Sequence, residues 1–357
     1  MAGRVRKLFP GGNTANGSFN FFDNIIPQNV NRIFCLKGGP GVGKSSFMKK
    51  IAKEFIEKGY DVELHYCPSD PSSLDGVVIL KLGVVLLDAT APHIVDPKDP
   101  GAIDEILNFG EYWDVEKLEK NKDTIVECGK DISNSFKRAY KYLKAAEPIY
   151  YDIEEKYRDC MDFGQVNLKI EHFIHDIFKD SSSTGIYKSP RHLFGTAITP
   201  VGHLDYADSI LSQVNKVYHL KGNIGTGKTT FLRNICDKAI QKGMNVEIFH
   251  YPLIKDKIET VIIKDLDIGI TVSSLFEGKN TINLNAYLDE EKLEKYIEEI
   301  KFDKKVFDEL LNYAISNLKK AKAKHDIIEA YYVPNMNFDK MEELKEEIIN
   351  RILKYEE

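Results

Sequence analysis

The 357-residue chain has no apolar run approaching the ~18 residues that a membrane-crossing helix needs, so no helical membrane span is expected. It has no close cysteine pair. Cys35, Cys67, Cys128, Cys160 and Cys236 are scattered, which fits free thiols in a reducing cytosol better than a disulfide scaffold. It has no excess of positive charge. The net charge is −6 and the pI about 5.9, so nucleic acid is not an expected partner, although a local basic patch stays open. The opening MAGRVRKLFPGG is basic, but no long apolar stretch follows it, and it does not read as a secretory signal. These absences together point to a cytoplasmic protein with no membrane partner.

What is present is an ordinary globular composition, 43% apolar and 29% charged, in a chain long enough for two domains. The chain also repeats itself. NVNRIFCLKGGPGVGKSSFMKKIAKEFIEKGYDVELHYCP aligns without a gap on QVNKVYHLKGNIGTGKTTFLRNICDKAIQKGMNVEIFHYP, with 16 of 40 positions identical. Upstream, RKLFPGGNTANG lies over RHLFGTAITPVG. Downstream, LNFGEYWDVEKLEK resembles INLNAYLDEEKLEK after about nine residues drop out of the second copy, and YRDCMDF parallels YVPNMNF at the same shifted spacing. The pattern predicts a whole-domain duplication, 1–184 and 185–357, with the boundary at the polar SSST of 181–184. It would form a pseudo-dimer within one chain; the oligomeric state stays open.

Each copy follows one plan. A β-branched strand (Asn31–Lys37, Lys216–Lys221) leads into a glycine loop. An amphipathic helix follows, roughly Lys44–Lys58 and Lys228–Lys242, stopped by Gly59 and Gly243. Further strands follow. The expected fold is α/β, with parallel sheets in duplicated P-loop NTPase domains. Stretches 115–178 and 290–355 are charged and periodic, which predicts a helical appendix beside each sheet.

The loops GGPGVGKS (Gly38–Ser45) and GNIGTGKT (Gly222–Thr229) both satisfy G-x-x-x-x-G-K-[ST]. Glycines let a polyphosphate approach the backbone, whose amides at a helix N-terminus favour an anion. The candidate nucleotide-binding residues are Gly38, Gly39, Gly41, Gly43, Lys44, Ser45 and Ser46 in the first copy. In the second they are Gly222, Gly225, Gly227, Lys228, Thr229 and Thr230. Lys44 and Lys228 would span the β- and γ-phosphates, and Ser45 and Thr229 would hold Mg²⁺.

Beyond the loops the copies diverge. GVVLLD ends in Asp88, a candidate magnesium-side carboxylate, where the second copy has Val272; Asp265 and Asp267 are possible substitutes there. His93 and Asp96 lie on the polar stretch after Asp88, and CPSDPSSLD offers Ser69, Asp70 and Asp75. Asp70 aligns with Ile254, while Asp75 keeps an acidic counterpart in Glu259. Lys44, Asp88, Asp70 and His93 are the candidate catalytic residues, and the asymmetry assigns turnover to the first copy. Arg191, the counterpart of Arg6, could reach a phosphate of the other half, although packing explains it as well. His172 and His175 lack the partners of a zinc set. FKRAYKYLKAA and NLKKAKAKH are basic helical segments that read first as solvated faces.

On GGPGVGKSS with SDPSSLDGVVI, LLDATAPHIVDPKDPG, and RHLFGTAITP before GNIGTGKTT, the chain resembles tandem P-loop ATPases of spore-forming Firmicutes, sometimes labelled nucleotide-kinase-like. The resemblance spans nearly the whole chain. It implies ATP as ligand, to which the loop hydroxyls and Asp88 add Mg²⁺, and specifies no further substrate. Three activities fit the residues: ATP hydrolysis, mainly in the first half; phosphorylation of a nucleotide or other small-molecule acceptor; and nucleotide sensing by a scaffold without turnover.

Overall fold

The computed structural model describes residues 2–90 and 94–356. In the first half the strands are β1 (Val5–Leu8), β2 (Gly11–Thr14), β3 (Gly17–Asn20), β4 (Arg32–Lys37), β5 (Val62–Tyr66), β6 (Leu74–Ile79), β7 (Val84–Asp88) and β8 (Asp104–Asn108). The helices are α1 (Lys44–Glu57), α2 (Val115–Glu119), α3 (Lys122–Asp159) and α4 (Phe163–Phe178). The second half repeats the series: β9 (Arg191–Phe194), β10 (Thr196–Thr199), β11 (Gly202–Asp205), α5 (Ala207–Leu211), β12 (Lys216–Lys221), α6 (Lys228–Gln241), β13 (Val246–His250), β14 (Ile258–Ile263), β15 (Ile268–Thr271) and β16 (Ile282–Asn283). It ends in α7 (Glu290–Glu294), α8 (Ile297–Tyr332) and α9 (Phe338–Leu353).

Both halves build a six-stranded sheet with equivalent strands in equivalent order, β1-β5-β6-β7-β4-β8 and β9-β13-β14-β15-β12-β16. The architecture is α/β, but the sheets are mixed rather than parallel. β6 and β14 run antiparallel to both neighbours, while the other pairings are parallel. The cause is loop length. Only seven residues join β5 to β6 and four join β6 to β7, too few for the crossover that a parallel pair requires. Gly83 (φ 58°) and Asp267 (φ 53°) take the left-handed conformation in the second of these turns in each half.

The glycine loops connect the fourth strand of each half to the helix behind it, where the sequence predicted them. α1 buries Phe47, Met48, Ile51 and Phe55 on its sheet, and α6 buries Phe231, Leu232, Ile235 and Ala239. Gly59 (φ 92°) and Gly243 (φ 75°) end the two helices.

The helical appendices depart from expectation, because neither lies beside its own sheet. α4, from the first half, packs Val166, Ile170, Phe173 and Phe178 into the second half's core with Phe231 and Ile235. α9, from the second half, packs Met341, Ile348, Ile349 and Ile352 into the first half's core with Phe34, Phe47 and Ile51. α3 and α8 carry them across. At about 1.5 Å per residue, the 38 residues of α3 span ~57 Å. The two long helices run antiparallel, since Lys324 meets Asp131, Tyr313 meets Tyr142 and Asp303 meets Lys156.

The halves also join edge to edge. Phe9 and Phe194 exchange backbone hydrogen bonds, Phe9 N–H to Phe194 O at 3.1 Å and Phe194 N–H to Phe9 O at 3.0 Å. Beside them lies a closed square of charges. Arg6 bonds Glu63 at 2.8 Å and Glu247 at 2.6 Å, while Arg191 bonds Glu63 at 2.6 Å and Glu247 at 3.2 Å. Arg6, Glu63 and Glu247 are almost wholly buried. Although burial opposes ionisation, the two guanidiniums, with Lys264 at 2.8 Å from Glu247, hold both glutamates well below their ordinary range. Arg191 is therefore a member of the interface and does not reach toward a phosphate.

Removing Arg6 leaves Arg191 shared between two buried carboxylates, with Lys264 as the other cation on Glu247, so part of their compensation is lost. Arg6→Met is expected to lower unfolding free energy in urea titration, by at most about 3–5 kcal/mol because Arg191 and Lys264 remain. The stability contributed by Glu63 and Glu247 is fully present above their unfolded value, about 4.5, and is lost as pH falls through their depressed folded values. Acid titrations of wild type and Arg6→Met should accordingly converge as pH drops below that value.

Candidate functional site

The first glycine loop leaves the end of β4 and enters α1 at Lys44. Its ammonium is buried and donates to the loop's own carbonyls, Gly38 O at 2.8 Å and Gly39 O at 3.0 Å. Asp88, the last residue of β7, brings Oδ2 to 3.6 Å from the Lys44 Nζ. Burial pushes the Lys44 pKa down, and Asp88 opposes that fall. The other Asp88 oxygen accepts the Thr90 N–H at 3.0 Å, and the Thr90 hydroxyl donates to Gly38 O at 3.0 Å. Thr90 thus ties the end of β7 to the loop, a link the sequence did not reveal. Ser45 Oγ accepts the Leu74 N–H at 3.0 Å, whereas Ser46 is exposed.

Around this centre the acids have distinct partners. Asp75, on β6, is buried, and burial, with Asp88 next, raises its pKa to about 8. Asp70 accepts from the Ser72 and Ser73 hydroxyls at 2.6 and 2.9 Å and pairs with Lys322 at 3.3 Å. Lys322 belongs to α8, so the second half supplies the cation. Asp96 is exposed and pairs with Lys37 at 2.9 Å. His93 lies outside the described residues.

The second loop has the same outline with a different surround. Lys228 donates to Gly222 O and Asn223 O, both at 2.6 Å. At the position of Asp88 stands Val272, partly buried against the second core. Asp265 and Asp267 do not replace it. They lie in the turn before β15, where they accept from Asn245 and Asn215, at the opposite end of the strand from Val272. Burial first, then Lys257, push the Lys228 pKa down to about 8. Glu259, the counterpart of Asp75, is partly buried, its pKa is raised by desolvation to about 8, and the Thr196 hydroxyl donates to it at 2.5 Å. Thr230, like Ser46, is exposed.

Each loop is backed by the other half's arm. Gly41 (φ 69°) lies so close to α8 that an added Cβ would stand 2.9 Å from Glu329 Cα. Gly225 (φ 85°) meets α3 as closely, with an added Cβ 2.3 Å from the Glu154 carbonyl oxygen. Glu154 and Glu329 occupy equivalent repeat positions, as do Tyr157 and Tyr332, which abut Gly225 and Gly39. Glu154 also binds Lys257 at 2.7 Å. Local sequence cannot reveal these neighbours, because they come from the opposite copy. His172 and His175 are both exposed on α4.

Comparison of the chain with protein-family models, curated proteins and solved structures finds no match.

The close approach at Gly41 has a direct consequence. A side chain there meets helix backbone and is strained by the positive φ as well. Gly41→Val is expected to lift the end of α8 off the loop and speed amide hydrogen exchange across 325–341. Gly129, within α3, has no atom within 4 Å of an added Cβ. Gly129→Ala should therefore leave that exchange unchanged and raise stability by about 0.5–1 kcal/mol.

Proposed function

We propose that the chain is a pair of P-loop NTPase-type domains that binds ATP with Mg²⁺ and hydrolyses ATP chiefly at the Gly38–Ser45 loop. The observation that carries this reading is the placement of Lys44. A buried ammonium sits in a glycine loop at a helix N-terminus, satisfied by two loop carbonyls and one carboxylate. A triphosphate would exchange those carbonyls for phosphate oxygens, and the loop amides would supply neutral donors beside them.

The residues at hand fit a magnesium ion. Ser45, next to Lys44 in the loop, and Asp88, 3.6 Å from its ammonium, offer hard oxygen donors, and these are the residues that would hold it. The ion would neutralise charge on the β- and γ-phosphate oxygens during transfer. Lys44 would stabilise the same charge from the loop side, Thr90 would fix the Asp88 carboxylate, and Asp75, neutral near pH 7, would add no repulsion. Hydrolysis is favoured over transfer to an acceptor because Asp70, the candidate catalytic acid just beyond β5 that could face an acceptor, is engaged by Ser72, Ser73 and Lys322. The second loop keeps its lysine but has Val272 in place of an acid, which supports nucleotide binding without comparable turnover.

Phosphate release from ATP and Mg²⁺ alone, with no added metabolite, is the test. Lys44→Ala and Asp88→Asn are each expected to cut turnover about 100-fold or more. Lys228→Ala should keep it within several-fold. Equal losses from Lys44→Ala and Lys228→Ala would contradict the division between loops. Turnover that appears only with a small-molecule acceptor would make the protein a kinase.

A further inference from the structure

Two acid-free stretches with four cations each lie on the long helices α3 and α8. Residues 132–146 hold Lys137, Arg138, Lys141 and Lys144, and residues 310–325 hold Lys319, Lys320, Lys322 and Lys324. The sequence places the stretches far apart; the crossed arms bring them side by side. The Tyr142 and Tyr313 rings stack across the two helices at 5.3 Å.

The orientation of the pair follows from burial. Ala139, Leu143 and Ala146 on α3, and Ala314, Leu318 and Ala321 on α8, are buried in one cluster with Ile198, Leu253 and Ile254 of the lobes. Helical spacing therefore turns Lys137, Lys141 and Lys319 to the opposite, solvent side, with Arg138 and Lys320 flanking them. All five are exposed. Three cations of the same stretches are neutralised: Lys144 by Glu147, Lys322 by Asp70 and Asp326, and Lys324 by Asp131. Among the described residues, none of the five outward cations has a carboxylate within ion-pair distance. Like charges this close repel one another, and a polyanion relieves the repulsion while releasing its own counterions. The same face offers a flat aromatic surface. Tyr313 is 57% exposed, and the Arg138 guanidinium lies 5.9 Å from the Tyr142 ring.

We propose that the outer face of the crossed arms binds single-stranded nucleic acid, with phosphates on Lys137, Arg138, Lys141, Lys319 and Lys320 and a base stacked on Tyr313. Net charge averages over the whole chain and hides this patch. The proposal does not depend on ATP hydrolysis. Single strands fit better than duplex because an exposed tyrosine can stack only on a base that is already unpaired.

The test is fluorescence anisotropy of the full chain with a labelled single-stranded oligonucleotide of about 15 nucleotides, across a salt series. Four to five phosphate contacts predict a log–log salt slope of about −3, at roughly −0.7 per contact on single strands. Lys137→Glu, Lys141→Glu, Lys319→Glu and Lys320→Glu combined should weaken binding at least about 30-fold at low salt. The four Lys→Gln changes, which avoid new repulsion, should flatten the slope, with unchanged circular dichroism showing that either variant is folded. Tyr313→Ala should weaken binding several-fold at unchanged slope. Three results would overturn the proposal: no oligonucleotide binding at low salt, equal binding by the folded charge-reversed protein, or binding of polyglutamate or anionic vesicles as tight as that of the oligonucleotide.

Discussion

Neither half of this protein closes its own hydrophobic core. The first sheet and α1 leave an apolar face that is covered by Ile348, Ile349 and Ile352 of α9, and the second leaves one covered by Val166, Ile170 and Phe173 of α4. Each such side chain contributes roughly 1.5–3 kcal/mol when fully buried, so the exchange is a main part of what holds the halves together. Much else follows from it. The connecting helices must be long enough to cross, and they must pass each other, so they pair antiparallel. Their far ends must arrive beside the opposite glycine loop, because α1 and α6, on which α9 and α4 pack, begin at those loops. The charge square of Arg6, Arg191, Glu63 and Glu247 then fixes the lobes at their shared edge.

This arrangement gives the two loops equivalent backing and unequal chemistry. Glu329 and Tyr332 stand against the first loop as Glu154 and Tyr157 stand against the second. Inside the loops the symmetry ends. Lys44 has Asp88 at 3.6 Å, while Lys228 faces Lys257 and the side chain of Val272 stands where the carboxylate would be. Burial therefore lowers the charge of Lys228 with less opposition. The proposed division of labour between a hydrolysing and a binding loop rests on that difference alone, since backbone and arm contacts are shared.

The local elements were legible in the sequence. β4, β12, α1 and α6 begin and end where apolar spacing, the glycine loops, Gly59 and Gly243 indicated, because those signals act over a few residues. The expected parallel order fails at β6 and β14, because joins as short as 67–73 and 80–83 permit only antiparallel neighbours. The arms were legible as helices but not as exchanged ones. An apolar stripe such as Ile348–Ile352 specifies that a helix must be covered, not by which copy, and the two halves are similar enough for either to serve. For the same reason Lys322, Glu329 and Tyr332 could not be assigned to the first loop in advance, nor the two basic stretches to one face. For Arg191 the packing alternative holds, but Glu63 and Glu247, which pair with both arginines, carry no sequence signal that distinguishes them from other strand residues.

The exchange of helices is tested most directly by making the two halves, 1–184 and 185–357, as separate chains and measuring their association and unfolding alone and mixed. With α4 and α9 crossed, each half alone lacks the helix that covers its core. The account predicts that neither is a folded monomer, and that an equimolar mixture assembles one to one and unfolds in a single cooperative transition. A half that is monomeric and unfolds cooperatively by itself would show that its appendix covers its own sheet, and would contradict the account.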